Sequence, residues 1–583
     1  MIAALGVVPS AHLRRLTTPT VLLVVVLLAG FFAPGTWKFV VIAVAVNGLV
    51  ALSAGMLFGR VGLLSLCPLS FAGIGAWIVS WLIVHASLPF FVNVALGGLA
   101  AVPFGVLVGG LAVRLRGVNL AVVTLTFAAA VVAVFGQHKF PGSQDSITRG
   151  TRPLGFTSDR MYFVLCFVVL VAVGLALDWY GRRRGGQAWR AVRSSERATA
   201  AAGLSVPRVK ITAFVVSAVI AGIAGGLLVG QYKGSVSEVT FLPVASLAIV
   251  AAAVLVGAQS LSGAVLAGLL GAVIPELFRR QGWSTEYPQI LFGVGAVQAL
   301  SKGAGGISAS FPWRRPRRSL EKPVAAPSPL AVAAVHVGSV NEPPVLELRS
   351  LTVRYGALTA LDHVDIVVSA GQVVGVIGPN GAGKSTLVDT VCGFVTDYGG
   401  AVLLDGRPID GLNATQRAKA GLRRTFQQGR AIPELTVGQY INLAVRRPLP
   451  PSELAELLGF FQLPPHDEPI GFVDVGTRRV LEVAAALACR PRVAFLDEPA
   501  AGLGREQSAA LGRHIAEIPA RFGCSVVLIE HNVELVAGVS SAITVLDFGL
   551  VIAHGTPEAV LADRRVALAY LGEDIGVESE AHG

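Results

Sequence analysis

The first 144 residues of this 583-residue chain contain no aspartate or glutamate. Charged residues make up only 14% of the whole, against roughly 25% in soluble globular proteins. Cysteine is also sparse. Its five positions, Cys67, Cys166, Cys392, Cys489 and Cys524, show neither paired nor metal-ligand spacing, which excludes a disulfide framework and a zinc module. The shortage of acid is uneven along the chain. Up to residue 344 there are 27 Lys/Arg against 9 Asp/Glu, and beyond it 20 against 27. The net charge of +11 therefore describes neither half. Basic residues that flank apolar runs set membrane topology and are not a nucleic-acid patch.

What is present in the first half is length of apolar sequence. Runs near the roughly 20 residues that cross a bilayer occur at 16–34, 37–58, 69–87, 89–113, 118–136, 161–180, 210–232, 240–258 and 260–278. A shorter one covers 287–300. Arg14 and Arg15 precede the first run, but APG after it is a poor cleavage site, so a first membrane anchor is expected rather than a signal peptide. Eight to ten spans are predicted, with both ends inside. Arg60, Arg114/Arg116, the WRRPRRS stretch (313–319) and the loop 181–210 then face the cytoplasm. The piece 60–71 is a candidate re-entrant segment. Asp178 and Glu276 stand at segment ends, which leaves Asn47, Ser70, Thr124, Thr126 and Ser246 as the polar interior. Their first reading is helix-to-helix hydrogen bonding, with solute contact as the alternative. Gly222, Gly226 and Gly230 share one helix face and predict close packing.

From 311 to 344 prolines and arginines replace the periodic pattern, a linker composition. The expected division is therefore 1–310 as a membrane domain, 311–344 as a cytoplasmic linker and 345–583 as a soluble domain. In the last, QVVGVI (372–377) reads as a buried strand and runs into GPNGAGKST. That loop fits G-x-x-x-x-G-K-[ST]. Gly378, Asn380, Gly381 and Gly383 let backbone N–H groups turn toward phosphates at a helix N-terminus. Lys384 adds a charge for the β- and γ-phosphates, with Ser385 and Thr386 opening the helix and Ser385 offering its hydroxyl to Mg²⁺. A glycine-rich loop alone is often an ordinary turn; a strand before it and Lys-Ser-Thr after it argue for a nucleotide. RVAFLDEPAAGL (492–503) is a strand ending in two acids. Asp497 is the metal-ligand candidate and Glu498 the general base for an attacking water. His531, after the strand SVVLI, would reach the γ-phosphate from a parallel neighbour.

Taken together, these residues resemble the ATPase domain of ATP-binding-cassette transporters. The resemblance implies that Tyr355 stacks on adenine, and that Gln427 in RRTFQQ senses Mg²⁺ and the membrane domain. It implies the metal-ligand, base and γ-phosphate roles for Asp497, Glu498 and His531. The tail GTPEAVLADRRVALAYLGED (555–574) and the membrane stretches 63–77, 114–127, 187–204 and 206–227 are similar to the subgroup importing branched-chain amino acids. The fold class implied is multi-domain: a polytopic α-helical permease followed by an α/β P-loop ATPase with a helical subdomain. The segment 187–204 is the candidate coupling element that docks near Gln427.

The family's signature sequence is degenerate here. Asp474 stands where a serine is usual, before Gly476, and Arg478 or Arg479 are candidates to neutralise it; Gly504 replaces a usual aspartate. The function implied is ATP-driven import of a small neutral or zwitterionic solute, branched-chain amino acids first, with urea or a short amide as the alternative. ATP and Mg²⁺ are the implied cofactors. The implied partners are the lipid bilayer, a second permease, a second ATPase with an intact signature and an extracytoplasmic solute-binding protein, with no nucleic acid. The implied location is the plasma membrane. A homodimeric exporter half-transporter and a non-transporting membrane ATPase remain as rivals.

Overall fold

A computed structural model describes residues 23–86, 88–138, 140–141, 151–233, 236–284, 287–301, 344–427 and 431–571. The expected linker, apart from Pro344, and the WRRPRRS stretch lie outside the described residues, as do 16–22 of the first apolar run. The chain divides into two compact units: Met1–Arg193 with Val206–Ser319, and Ser194–Ser205 with Leu320–Gly583.

In the first unit, apolar runs become helices because a bilayer offers no partner for backbone N–H and C=O groups. Among the described residues seven helices are long and apolar enough to cross a membrane. They are α1 (Lys38–Val61), α2 (Pro68–His85), α3 (Phe90–Arg114), α4 (Gly117–His138), α5 (Asp159–Arg182), α8 (Val206–Gln231) and α10 (Leu261–Arg280). The short α6 (Arg184–Ser194) and α7 (Glu196–Ala201) come between α5 and α8. Two briefer helices, α9 (Pro243–Val256) and α11 (Tyr287–Ser301), fall below that length, and residues 23–31 are helical. Helix α8 packs against α1, α2 and α3. Its glycines permit this: a Cβ on Gly225 would stand 1.8 Å from the Ala72 carbonyl oxygen, and one on Gly222 2.9 Å from that of Gly97.

The candidate re-entrant piece contains a break between two helices. Helix α1 ends in a π-helical turn, Leu57–Val61, which Gly62 stops at φ 79°. Residues 62–67 are then non-helical until α2 begins at Pro68. Backbone freed from a helix must find other partners. Thr124 Oγ1 accepts from the Leu66 amide at 3.0 Å, and Ser246 Oγ donates to the Leu66 carbonyl at 2.9 Å. Arg60, expected on the cytoplasmic side, is buried at the end of α1. It donates to Leu177 O (2.6 Å), Asp178 Oδ1 (2.5 Å) and Gln259 O (2.8 Å). Burying this charge satisfies it by tying α1 to α5 and to the turn before α10.

The second unit carries two sheets. The antiparallel one has the order β2-β1-β4-β5, from β1 (Pro344–Tyr355), β2 (Leu358–Ser369), β4 (Gly399–Leu404) and β5 (Arg407–Pro408). The other has the order β10-β9-β3-β8-β7-β6. Its strands are β3 (Val373–Ile377), β6 (Leu422–Arg424), β7 (Val493–Asp497), β8 (Ser525–Ile529), β9 (Ala542–Asp547) and β10 (Leu550–Gly555). All neighbours in it are parallel except β9 and β10. Strands β3, β7 and β8 are buried along their whole length, which is why each reads as an unbroken apolar run. Helix α13 (Ala414–Ala420) precedes β6, and α14 (Val437–Val445), α15 (Pro451–Phe460) and α16 (Val475–Leu487) form an inserted helical region between β6 and β7.

Candidate functional site

In a parallel sheet, ligand sites form at the carboxyl ends of strands where the order changes direction. Strand β3 lies between β8 and β9, its sequence neighbours being elsewhere. Residues 378–383 leave β3 at that end and lead into α12 (Lys384–Val391). Gly378 has φ 153° and a Cβ there would meet the Leu546 oxygen at 2.1 Å; Gly383, at φ 101°, would strike the Ala360 oxygen at 2.6 Å. The loop thus needs glycine for both conformation and space. Asn380, Gly381 and Ser385 are exposed along it, and Thr386 is half-buried. Lys384 is buried and donates to the carbonyls of Gly378 (2.6 Å) and Pro379 (2.9 Å). Burial pushes its ammonium below the ordinary lysine range, opposed by the charges of Glu498 and Asp497.

Asp497 ends β7 and Glu498 follows it. The register pairs Asp497 with Ile529 of β8, so Glu530 and His531 emerge beside Glu498. His531 Nε2 lies 2.8 Å from Glu498 Oε1, and Gln427 Nε2 donates to Oε2 at 2.7 Å. Both carboxylate oxygens of the candidate base are therefore occupied. Glu498 has φ 47°, an uncommon conformation for a non-glycine residue and one met at functional sites. Its peptide is held from two sides: its amide donates to Ile529 O at 2.8 Å, and its carbonyl accepts from Arg479 Nη1 at 3.0 Å.

Sequence reasoning missed three contributors. Arg479 was weighed only as a partner for Asp474. Glu530 is buried, and its carboxylate accepts from the amides of Ala500 (2.7 Å) and His531 (3.2 Å), fixing the turn after Glu498 and the histidine together. Burial raises its pKa, with those two hydrogen bonds acting in the opposite sense. Arg424, on β6, reaches Asp497 Oδ2 at 2.8 Å and pairs with Asp389. The adjacent RR and EH dipeptides were the available signals.

Tyr355 lies at the end of β1 with an exposed ring. It belongs to the hairpin whose Ala360 and Leu361 lie against Gly383. Asp474 and Gly476 occupy the start of α16, apart from the Gln427–Glu498–His531 cluster. Asp474 caps the helix by accepting from the Thr477 amide at 2.9 Å. Partial burial works against its charge, yet hydrogen bonds from Thr477 and Gly476 carry its pKa below the usual carboxylate range. The two expected neutralisers are engaged elsewhere: Arg478 donates to Val473 O and Gly471 O, and Arg479 to Glu498 O. The helix N-terminus does that work for Asp474 instead.

The segment Ser194–Ser205 is part of this unit. Arg423 Nη1 donates to Ala201 O at 3.1 Å, and Thr415 Oγ1 to Leu204 O at 3.3 Å. Helix α7 thus sits on the α/β unit while its chain neighbours on both sides belong to the helical one.

A nucleotide-type loop, acids on the next strands and membrane-length helices in one polypeptide define a membrane-coupled ATPase. Comparison with known proteins specifies it. Residues 37–299 match the family model described as branched-chain amino acid transport system / permease component. Residues 361–501 match ABC transporter, and 551–575 match branched-chain amino acid ATP-binding cassette transporter. The high-affinity branched-chain amino acid transport ATP-binding protein BraF of Pseudomonas aeruginosa is 36% identical over 254 residues, 40% of this chain and 98% of BraF. LivG of Escherichia coli, of the same description, is 34% identical over 251 residues, again 40% and 98%. A zinc import ATP-binding protein, ZnuC of Alkalilimnicola ehrlichii, is 37% identical over 248 residues, 41% and 89%. A crystal structure of a nucleotide-free ATP-binding cassette from an ABC transporter covers 40% of this chain and all of its own, at 27% identity and a TM-score of 0.37. The chain belongs to the ATP-binding-cassette transporter family, in its branched-chain amino acid transport branch, with permease and ATPase joined in one polypeptide.

Proposed function

We propose that this chain is a fused permease–ATPase subunit that imports a small neutral or zwitterionic solute, branched-chain amino acids first, at the expense of ATP. The observation that carries the reading is the clamped base. Glu498 is held at 2.7 Å by Gln427 and 2.8 Å by His531, in a chain whose described residues also hold seven membrane-length helices. Gly378, Asn380, Gly381 and Gly383 present backbone N–H groups to the phosphates, Lys384 turns from its loop carbonyls to the β- and γ-oxygens, and Ser385 and Thr386 meet them at the N-terminus of α12. Tyr355 stacks on the adenine. Glu498 takes a proton from the attacking water, His531 orients that exchange, and Gln427 completes the pocket when the permease permits.

The oxygen donors Ser385, Asp497 and Gln427 suit Mg²⁺, a hard cation held by few protein ligands and by substrate phosphates. The ion would neutralise charge on the β- and γ-phosphates. Helix α7 is the coupling element, seated on the ATPase unit and continuous with the permease. Working partners are a second permease, a second ATPase with an intact signature and an extracytoplasmic solute-binding protein, around a site on the cytoplasmic side of the membrane.

The test is solute-stimulated ATP hydrolysis and uptake by the purified complex in vesicles, comparing leucine, isoleucine and valine with urea. Stimulation by the amino acids and loss with Glu498→Gln is expected. Turnover indifferent to every solute would remove transport from the reading.

A further inference from the structure

Strand β6 carries two arginines in succession, and successive strand residues face opposite ways. Arg423 turns to the coupling helix α7 and donates to Ala201 O at 3.1 Å. Arg424 turns to the nucleotide site, where it pairs with Asp389 of α12 and with Asp497 Oδ2 at 2.8 Å. Both are buried, Arg423 at 6% of its full exposure and the Arg424 side chain also at 6%. Among the described residues the Arg424 Nε finds no hydrogen-bond acceptor, so that guanidinium is anchored through its two carboxylates. Asp389 has a second cation: its Oδ2 lies 3.4 Å from Arg197 of α7. The strand then runs on into the catalytic segment. Thr425 Oγ1 accepts from the Asp497 amide at 3.1 Å, and Gln427 reaches Glu498.

We infer that Arg423 and Arg424 are positioning residues that make the readiness of Asp497 for its metal depend on how α7 is seated. A guanidinium on Oδ2 competes with a divalent cation for the same carboxylate. Arg197 and Arg424 in turn compete for Asp389. When α7 is seated, Arg197 takes part of Asp389 and leaves Arg424 on Asp497. When α7 lifts, Arg197 leaves, Arg424 leans toward Asp389, and Asp497 is freed. The strand backbone is the lever between the two arginines. This rests on the reading of Asp497 as the metal-binding residue.

The experiment uses the full chain in lipid nanodiscs and a fluorescent ATP analogue, titrated with Mg²⁺ to find the half-saturating concentration for nucleotide binding. Arg424→Gln should lower that concentration about fivefold, the low end of coupling between linked sites, and leave binding in EDTA unchanged. Arg424→Lys, keeping the charge, should stay near wild type. Arg197→Ala, on an exposed side chain whose loss leaves the fold intact, should lower it about twofold, the scale of an exposed ion pair. Arg423→Ala should do the same, and its effect should vanish in the Arg424→Gln background, because linked residues are not additive. The inference is overturned if Arg424→Gln causes no shift, if Arg197→Ala causes none, or if the Arg423 and Arg424 effects add. If wild-type binding shows no Mg²⁺ dependence at all, the underlying reading of Asp497 is what fails.

Discussion

The two halves of this molecule solve the same problem, bringing distant residues together, by unlike means. In the ATPase unit the parallel sheet does the gathering. Lys384, Gln427, Asp497, Glu498 and His531 all lie at or just beyond the carboxyl ends of β3, β6, β7 and β8, so the hydrogen-bond register sets them side by side. In the permease unit no such register exists. Polar contacts form where a helix is interrupted, as between Gly62 and Cys67, and the partners come from whichever helices lie near. A sheet therefore announces its site in sequence, as an apolar run ending in a polar pair. A helical bundle hides its own among many single hydroxyls.

The comparison would break first at Glu498. Glu498→Gln keeps the shape and hydrogen-bonding reach of the side chain but cannot take a proton. Hydrolysis by the assembled transporter should fall on the order of 10²-fold or more, the span of general-base catalysis, while nucleotide binding persists. Phosphate release against analogue binding reads both. Retained turnover would mean that the sheet ends do not gather the reacting groups.

A comparable loss in stability is expected on the permease side. Arg60→Ala removes a buried cation from Asp178 and from two backbone carbonyls. Asp178 is partly exposed and water can replace the cation there, but the carbonyls lose their donor, which costs about 1–3 kcal/mol. Thermal unfolding in detergent, followed in the helical unit, should show a clear drop; an unchanged transition would mean that these hydrogen bonds do not hold α1 to α5.

That case also shows what could be read beforehand. Apolar helices, the glycine-rich loop after β3 and the strand-end acids were legible, because length, periodicity and strand–loop–helix order are local properties. The partners of Arg60 were not, since an arginine after an apolar run looks alike whether it meets water or a carboxylate from another helix. Glu530 and Arg424 escaped for the complementary reason: each sits beside a residue with a familiar role, and its partners, Ala500 and Asp497, are fixed only by the pairing of β6, β7 and β8. The break at Gly62 was visible as an interruption, but its satisfaction by Thr124 and Ser246 required the packed bundle.

Those two hydroxyls give a smaller effect. Ser246→Ala leaves the Leu66 carbonyl without its 2.9 Å donor, and an unsatisfied buried acceptor costs about 1–3 kcal/mol. Solute uptake should fall while ATP hydrolysis continues, because the break lies wholly in the permease unit. Equal loss of both would assign Ser246 to assembly rather than to the pathway.

The smallest effect separates capping from catalysis at the degenerate signature. Asp474 accepts from the Thr477 amide, so Asp474→Ala should cost about 1 kcal/mol through the lost cap. Asp474→Ser should keep the cap and remove the charge. If the carboxylate limits hydrolysis by repelling a phosphate, the serine variant hydrolyses ATP modestly faster than wild type at equal stability. The alanine variant then shares the gain but melts earlier. Should the serine and alanine variants lose activity alike, the anion is needed where it stands, and this position of α16 acts on phosphate chemistry in a way its helix-capping geometry does not account for.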